Sequence, residues 1–384
     1  MKRFECLDGL RGVLAIYVLV GHMAPFAVLP EWLQWAVSHG GAAVDLFFVL
    51  SGLVITQSLS RSGGRVWPFL IVRGTRIFPV FLVVFALAVA LQHSSCGFER
   101  MHWIGVDNAA RTICVMAWPH AWLPELAAHL TMTHGLFPNG VLPDVWVSFL
   151  GSAWSLSTEW QFYLLALLAA GQSRRLCWIL IGLAVAGVAW RFAVPESWQF
   201  SRAFLGNKGH FFALGVASVG IVRGDSGALR QYGWVLAATL LICSTSGTFG
   251  KMLPPLAWTF CLAVQMRPQR AGLQRAGLRT AGLRTAGLRA AGLRLAGGLL
   301  RSRVAGWLGA ISYCVYLVNE PIHKLTGLVL SQFAGNDAMV FTLLWIPAAI
   351  GLPVLASAWL HRYVEAPAQR WGRVVAGRAA VSDE

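Results

Sequence analysis

An arginine and a histidine sit on one apolar run, "LDGLRGVLAIYVLVGH" (residues 7–22), which is long enough to enter a bilayer. Their separation of eleven residues is close to three helical turns, so Arg11 and His22 project from one face, ~16 Å apart along the axis. A guanidinium is permanently charged and fitted to anions. An imidazole can take a proton from a hydroxyl or carry an acyl group for a moment. One helix with both residues could therefore hold an anionic ligand at one end and activate a nucleophile at the other. The plain alternative is a snorkelling arginine and a histidine packed between helices.

Other ionisable residues fall where lipid should exclude them, and such groups usually face a cavity or a partner. Asp45, in "GGAAVDLFFVLSGLVIT", lies near the outer end of the second apolar segment at about the depth of His22. A carboxylate there is expected to bond one ring nitrogen of His22 and leave the other as general base. Glu159, in "AWSLSTEWQFY", lies inside the fourth segment. Arg73 and Arg76, in "FLIVRGTRIFPVF", are three apart and share a face if helical. They are expected at the cytoplasmic entrance of the third segment, on the same side as Arg11. Three arginines together suit a multiply anionic ligand such as a phosphate-bearing cofactor, although the cytoplasmic bias of basic residues explains Arg73 and Arg76 equally well.

The elements that must position these groups are membrane helices. The 384 residues are 57% hydrophobic and 12% charged, about half the ~25% charged share of a soluble domain, with a mean hydropathy of +0.60. That composition argues against a large soluble helical enzyme. Ten apolar segments can be marked, near 10–28, 41–58, 73–91, 146–169, 176–193, 204–222, 231–246, 252–265, 304–328 and 339–360. Arginines gather in the loops after the second, fourth, sixth, eighth and tenth segments, and acids in the loops between. By the positive-inside rule both termini are cytoplasmic. The expected fold is all-α, a polytopic helix bundle of about ten transmembrane helices whose first span is retained and not cleaved as a signal peptide.

Residues 1–265 would form the first eight spans with an outer loop at 92–145, 304–370 the last two spans of the same domain, and 371–384 a cytoplasmic tail. Between them, 266–303 holds the tandem copies AGLQR, AGLRT, AGLRT, AGLRA and AGLRL. A five-residue period advances ~140° per copy on a helix, so neither Arg nor Leu forms a face. The segment reads as a cytoplasmic spacer, and it supplies much of the formal charge of +15. Nucleic-acid binding is not needed to explain the basic balance. The outer loop holds His93, His102, His120, His129 and His134 without tight ligand spacing, so no metal is expected. Cys96 and Cys114 share that loop and could pair in an oxidising compartment. There is no GxSxG elbow, P-loop, HExxH or dinucleotide fingerprint.

The blocks "LDGLRGVLAIYVLVGH", "VDLFFVLSGLVIT", "VRGTRIFP", "WSLSTEWQFYL", "FFALGVA", "ISYCVYLVNEPI" and "RYVEAP" occur in the order found in the bacterial integral-membrane acyltransferases, acyltransferase family three. The chain resembles that family from residue 5 to about 370. The resemblance implies ten spans in the bacterial inner membrane and no bound cofactor. It also implies transfer of an acyl group, commonly acetyl from cytoplasmic acetyl-CoA, to a hydroxyl. Implied acceptors are O-antigens, exopolysaccharides and other glucans, with lipid or macrolide acceptors as alternatives. Membrane lipid and a polysaccharide synthase or export complex are the implied partners. Carried over by motif, Arg11 and His22 are the catalytic pair, Arg73 and Arg76 the basic pair for CoA, and Glu159 the acid of its block, while Asp45 and Ser51 fall in the second-span motif. The late block departs from the pattern, with Asn319 where a histidine is usual; either that position only hydrogen-bonds, or His323 one turn on compensates. A proton-coupled transporter and a non-catalytic scaffold are the rival classes. The internal repeats and broken spans expected of a transporter are not evident.

Overall fold

Each of the ten apolar segments folds as a helix, because a backbone in lipid must satisfy its own N–H and C=O groups. A computed structural model of the chain describes residues 5–92, 101, 103–104, 118–169, 172–266, 298–334 and 337–382. The main helices of the first half are α1 (Glu5–Met23), α3 (Gly40–Arg61), α4 (Val66–Ala90), α6 (Trp154–Leu168) and α7 (Ser173–Ala193). Those of the second half are α8 (Gly209–Arg223), α9 (Ala228–Ser244), α10 (Leu253–Met266), α11 (Arg303–Phe333) and α12 (Ala338–Leu360). Two short helices, α2 (Glu31–Val37) and α5 (Trp122–Leu130), lie in connections. A π-type turn, His361–Glu365, joins α12 to α13 (Ala366–Ser382). Among the described residues there is no β-strand, only a bridge between Pro138 and Phe200. The chain is an all-α membrane helix bundle. Five helical stretches are long and apolar enough to cross a bilayer: Leu7–Phe26, Glu31–Arg61, Val66–Ala90, Ser173–Ala193 and Ala338–Ala379.

Two boundaries differ from the expectation, and both matter to the site. Helix α4 begins at Val66, seven residues before the expected start, so Arg73 lies two turns inside it and is 5% exposed. Arg73 thus stands within the helix packing, while Arg11 and Arg76 are half-buried. The fourth segment is α-helical only from Trp154; residues 146–150 are irregular, with Phe149 at φ 59°, and Gly151–Ala153 form a single 3-10 turn. The carboxylate of Glu320 holds that turn by accepting from the N–H groups of Gly151 (3.1 Å) and Ser152 (3.0 Å). Pro321 follows, and a proline frees the carbonyl four residues back. That carbonyl, Leu317 O, receives a long 3.5 Å contact from the Ser152 hydroxyl.

Close glycine contacts set how the helices lie against one another. Helix α1 meets α11 where a Cβ on Gly309 would collide with Asp8 O, and one on Gly12 would lie 2.6 Å from Gly309 N. Helix α3 meets α8 at Gly52 and Gly215 in the same way, with Gly215 against Val49 O. Backbones this close are a membrane-helix device: small residues let van der Waals packing replace the hydrophobic drive that lipid removes. The segment 267–297, with the pentapeptide copies, and the pair Cys96 and Cys114 lie outside the described residues. Cys177, Cys243 and Cys314 are buried thiols within the helix packing.

Candidate active site

Five helices converge on one cavity of about 90 Å³. Helix α1 contributes Arg11, α3 Ser51, α4 Arg73 and Arg76, α6 Glu159 and Tyr163, and α11 Tyr313 and Tyr316. Three cations and one carboxylate therefore face a small space. Glu159 Oε1 accepts from Ser51 Oγ and from Tyr163 OH, each at 2.8 Å. The Arg73 guanidinium lies 5.8 Å from the ring centroids of both Phe69 and Tyr163, and its Nε is buried with no hydrogen-bond partner. A buried, fixed cation with an unspent donor at a cavity wall is a place for an anion. Tyr313 closes the wall from α11 by donating to Ile77 O at 2.6 Å.

His22 does not line this cavity. It sits in the last turn of α1 with its side chain exposed, and its Nδ1 lies 2.7 Å from Asn319 Oδ1 on α11. Tyr316, one turn before Asn319, forms the cavity wall on that side, edge-on to Phe47 at 6.5 Å between centroids. Glu320 is within electrostatic reach of His22. The arginine-lined cavity and the exposed His22 are thus separate places in the structure. His323 is spent elsewhere, on Ala349 O at 2.8 Å and against Trp345.

Asp45 does not meet His22. It is fully buried, with Oδ1 2.5 Å from Lys208 Nζ and Oδ2 3.6 Å from Lys251 Nζ. Rotation about the helix axis is decided by packing. The Gly52–Gly215 contact turns this face of α3 toward the start of α8, where Lys208 stands. Breaking such a pair from one side leaves an uncompensated buried charge, at a cost of roughly 3–5 kcal/mol. Asp45→Asn is expected to lose about that much stability in thermal or chemical unfolding. Asp45→Leu combined with Lys208→Met is expected to recover most of it and to keep acyl transfer, which a catalytic Asp45 could not do.

On the outer connection, His129 and His134 stack with ring centroids 4.1 Å apart, both fully buried. Nε2 of His129 donates to Val145 O at 2.8 Å and Nε2 of His134 to Ala153 O at 3.3 Å, while both Nδ1 atoms are buried and unpartnered. Burial pushes the His134 pKa down to about 4 and that of His129 well below its ordinary value, the latter also because His134 is beside it. The unfolded segment therefore binds protons that the folded one refuses between pH 6.5 and 4. Stability is complete above pH 6.5 and falls as pH drops through that window, by about 3 kcal/mol for His134 alone. The melting temperature is expected to fall over this range, and His134→Phe is expected to flatten the fall. An equally steep profile in that variant would remove His134 as its source.

Same-rule signals in the sequence were available for three residues that the reading passed over. Glu320 and Lys208 are ionisable groups inside apolar segments, like those singled out. Glu365, in "RYVEAP", accepts from His361 Nδ1 (2.8 Å), Gln369 Nε2 (2.8 Å) and Cys314 Sγ (3.3 Å) and so fixes the turn after α12. Tyr163, Tyr313 and Tyr316 carried no such signal.

The fold is that of a membrane-embedded helix bundle with an arginine-lined cavity among its helices. The chain belongs to the acyltransferase domain family, whose pattern it matches over residues 4–362. It is 27% identical to "Acyltransferase MdmB" of Streptomyces mycarofaciens, over 96% of this chain and 92% of that protein. It is 28% identical to the "O-acetyl transferase" of Shigella phage Sf6, over 48% of this chain and 47% of that one. A third relative, "Protein 2 in picA locus" of Rhizobium radiobacter, is 36% identical over 23% of this chain and 46% of its own length. No solved structure gives a significant match. The protein is a membrane acyltransferase.

Proposed function

We propose that the protein moves an acyl group, acetyl foremost, from cytoplasmic acyl-CoA to a hydroxyl of a saccharide, an exported or surface polysaccharide, from a multi-pass position in the bacterial inner membrane with both termini inside. The observation that carries this reading is the meeting of Arg11, Arg73 and Arg76 in one buried cavity. Ligand pockets for drug-sized molecules run to roughly 300–1,000 Å³. A cavity of about 90 Å³ admits an acyl-thioester arm and not a nucleotide. The phosphates and adenine would therefore stay on the cytoplasmic side, steered by the arginines, while the arm enters the cavity lined by Tyr316 and Phe47. The O-acetyl transferase among the relatives supports acetyl as the group and oxygen as its acceptor.

In the reaction, His22 removes the proton of the acceptor hydroxyl as its oxygen attacks the thioester carbonyl. The C–O bond forms, the C–S bond breaks, and the proton passes to the departing CoA thiolate, so acyl-CoA and alcohol give ester and CoA-SH. A route through an acyl-histidine reaches the same products in two steps. The pentapeptide segment would sit in the cytoplasm, and a polysaccharide synthase or export complex would supply the acceptor. The test is acetyl-ester content of surface polysaccharides, measured by mass spectrometry in cells with and without the protein, paired with CoA-thiol release by the purified chain. Unchanged acetylation together with no thiol release would end the proposal.

A further inference from the structure

Asn319 is buried completely in α11. Its amide nitrogen donates to Tyr316 O at 2.6 Å and to Val315 O at 3.2 Å, both on its own helix. The amide oxygen is thereby turned toward α1, 2.7 Å from Nδ1 of His22. These neighbours decide the orientation of the amide. Reversing it would press the amide oxygen against two carbonyl oxygens, neither of which can donate. A carbonyl oxygen can only accept, so Nδ1 of His22 must carry the proton. A neutral imidazole has one N–H and one lone pair, and the lone pair is left on Nε2.

We propose that Asn319 is the positioning residue that sets the tautomer of His22, holding Nδ1–H so that Nε2 is the atom that takes the acceptor's proton. The inference rests on the reading of His22 as general base. Neither neighbour competes for the task, since Glu320 is engaged by Gly151 and Ser152, and His323 by Ala349 O. A carboxylate at this position would choose the same tautomer and would also stabilise the imidazolium. An amide chooses the tautomer without adding charge.

Nitrogen NMR on the full chain in lipid nanodiscs, labelled at its histidine rings, reads the tautomer directly, and the signal lost in His22→Ala assigns His22. A protonated Nδ1 and bare Nε2 are expected in the native protein and in Asn319→Asp, and a mixed population in Asn319→Leu. A bare Nδ1 in the native protein overturns the proposal, as does an unchanged tautomer in Asn319→Leu. Release of CoA thiol from acetyl-CoA, with water as acceptor, supplies the second readout. Asn319→Leu is expected to lower kcat about a hundredfold with KM for acetyl-CoA unchanged. Asn319→Asp is expected to stay active with the acid limb of its pH profile moved upward by about 1 unit or more, because the carboxylate favours the charged ring. An unmoved limb in Asn319→Asp also overturns it, even if Asn319→Leu does not fold. Activity retained in His22→Ala would instead remove the reading on which the proposal rests.

Discussion

His22→Ala is expected to abolish acyl transfer while leaving a folded, membrane-inserted protein. The side chain is exposed at the end of α1, so its removal opens no cavity in the packed interior, and the helix is held to α11 by the Gly12–Gly309 contact far from it. The loss is expected to be about 10²–10⁴-fold, the range over which a positioned base contributes. The buried Asn319 Oδ1 loses its His22 partner, so the melting temperature should fall by no more than the equivalent of about 1–3 kcal/mol. Native levels of acetylated polysaccharide in cells carrying the variant would show that His22 is not the base.

The second large effect concerns Arg73, and it separates a functional arginine from a structural one. Arg73→Lys keeps the charge but loses the fork of donors and the stacking over Phe69 and Tyr163. KM for acetyl-CoA is expected to rise about tenfold to a hundredfold, the equivalent of one charged hydrogen bond, with a smaller change in kcat. Arg73→Leu is expected to eliminate activity and to raise the melting temperature measured without acyl-CoA. A buried cation whose Nε has no protein partner is held at a cost in stability, and an apolar side chain of similar bulk removes that cost. An arginine kept for structure would do the opposite and melt the protein when replaced. A lowered melting temperature in Arg73→Leu with KM unmoved in Arg73→Lys would rule out the anion-binding role.

The all-α membrane bundle, the α1 face shared by Arg11 and His22, and the convergence of Arg11, Arg73 and Arg76 were legible in the chain alone, while the meeting of Glu159 with them was not. They depend on local rules. Apolar length sets where a helix can lie in lipid, helical period sets which residues share a face, and the cost of burying charge marks the exceptions. The same rule, applied to every ionisable residue in an apolar segment, reaches Glu320 and Lys208 as well.

What the sequence could not reach was the azimuth of each helix and therefore the choice of partner. The Gly52–Gly215 contact turns Asp45 to Lys208, and the Gly12–Gly309 contact brings Asn319 to His22. An Asn in place of the usual His looked like a defect in the late block; packed against α1, its oxygen is the one atom that holds Nδ1 of His22. The residue types to look for were written in the chain, because lipid penalises every polar group it meets. Which of them touch was decided only when glycine backbones closed on one another, since that contact energy belongs to pairs of helices and to no segment by itself.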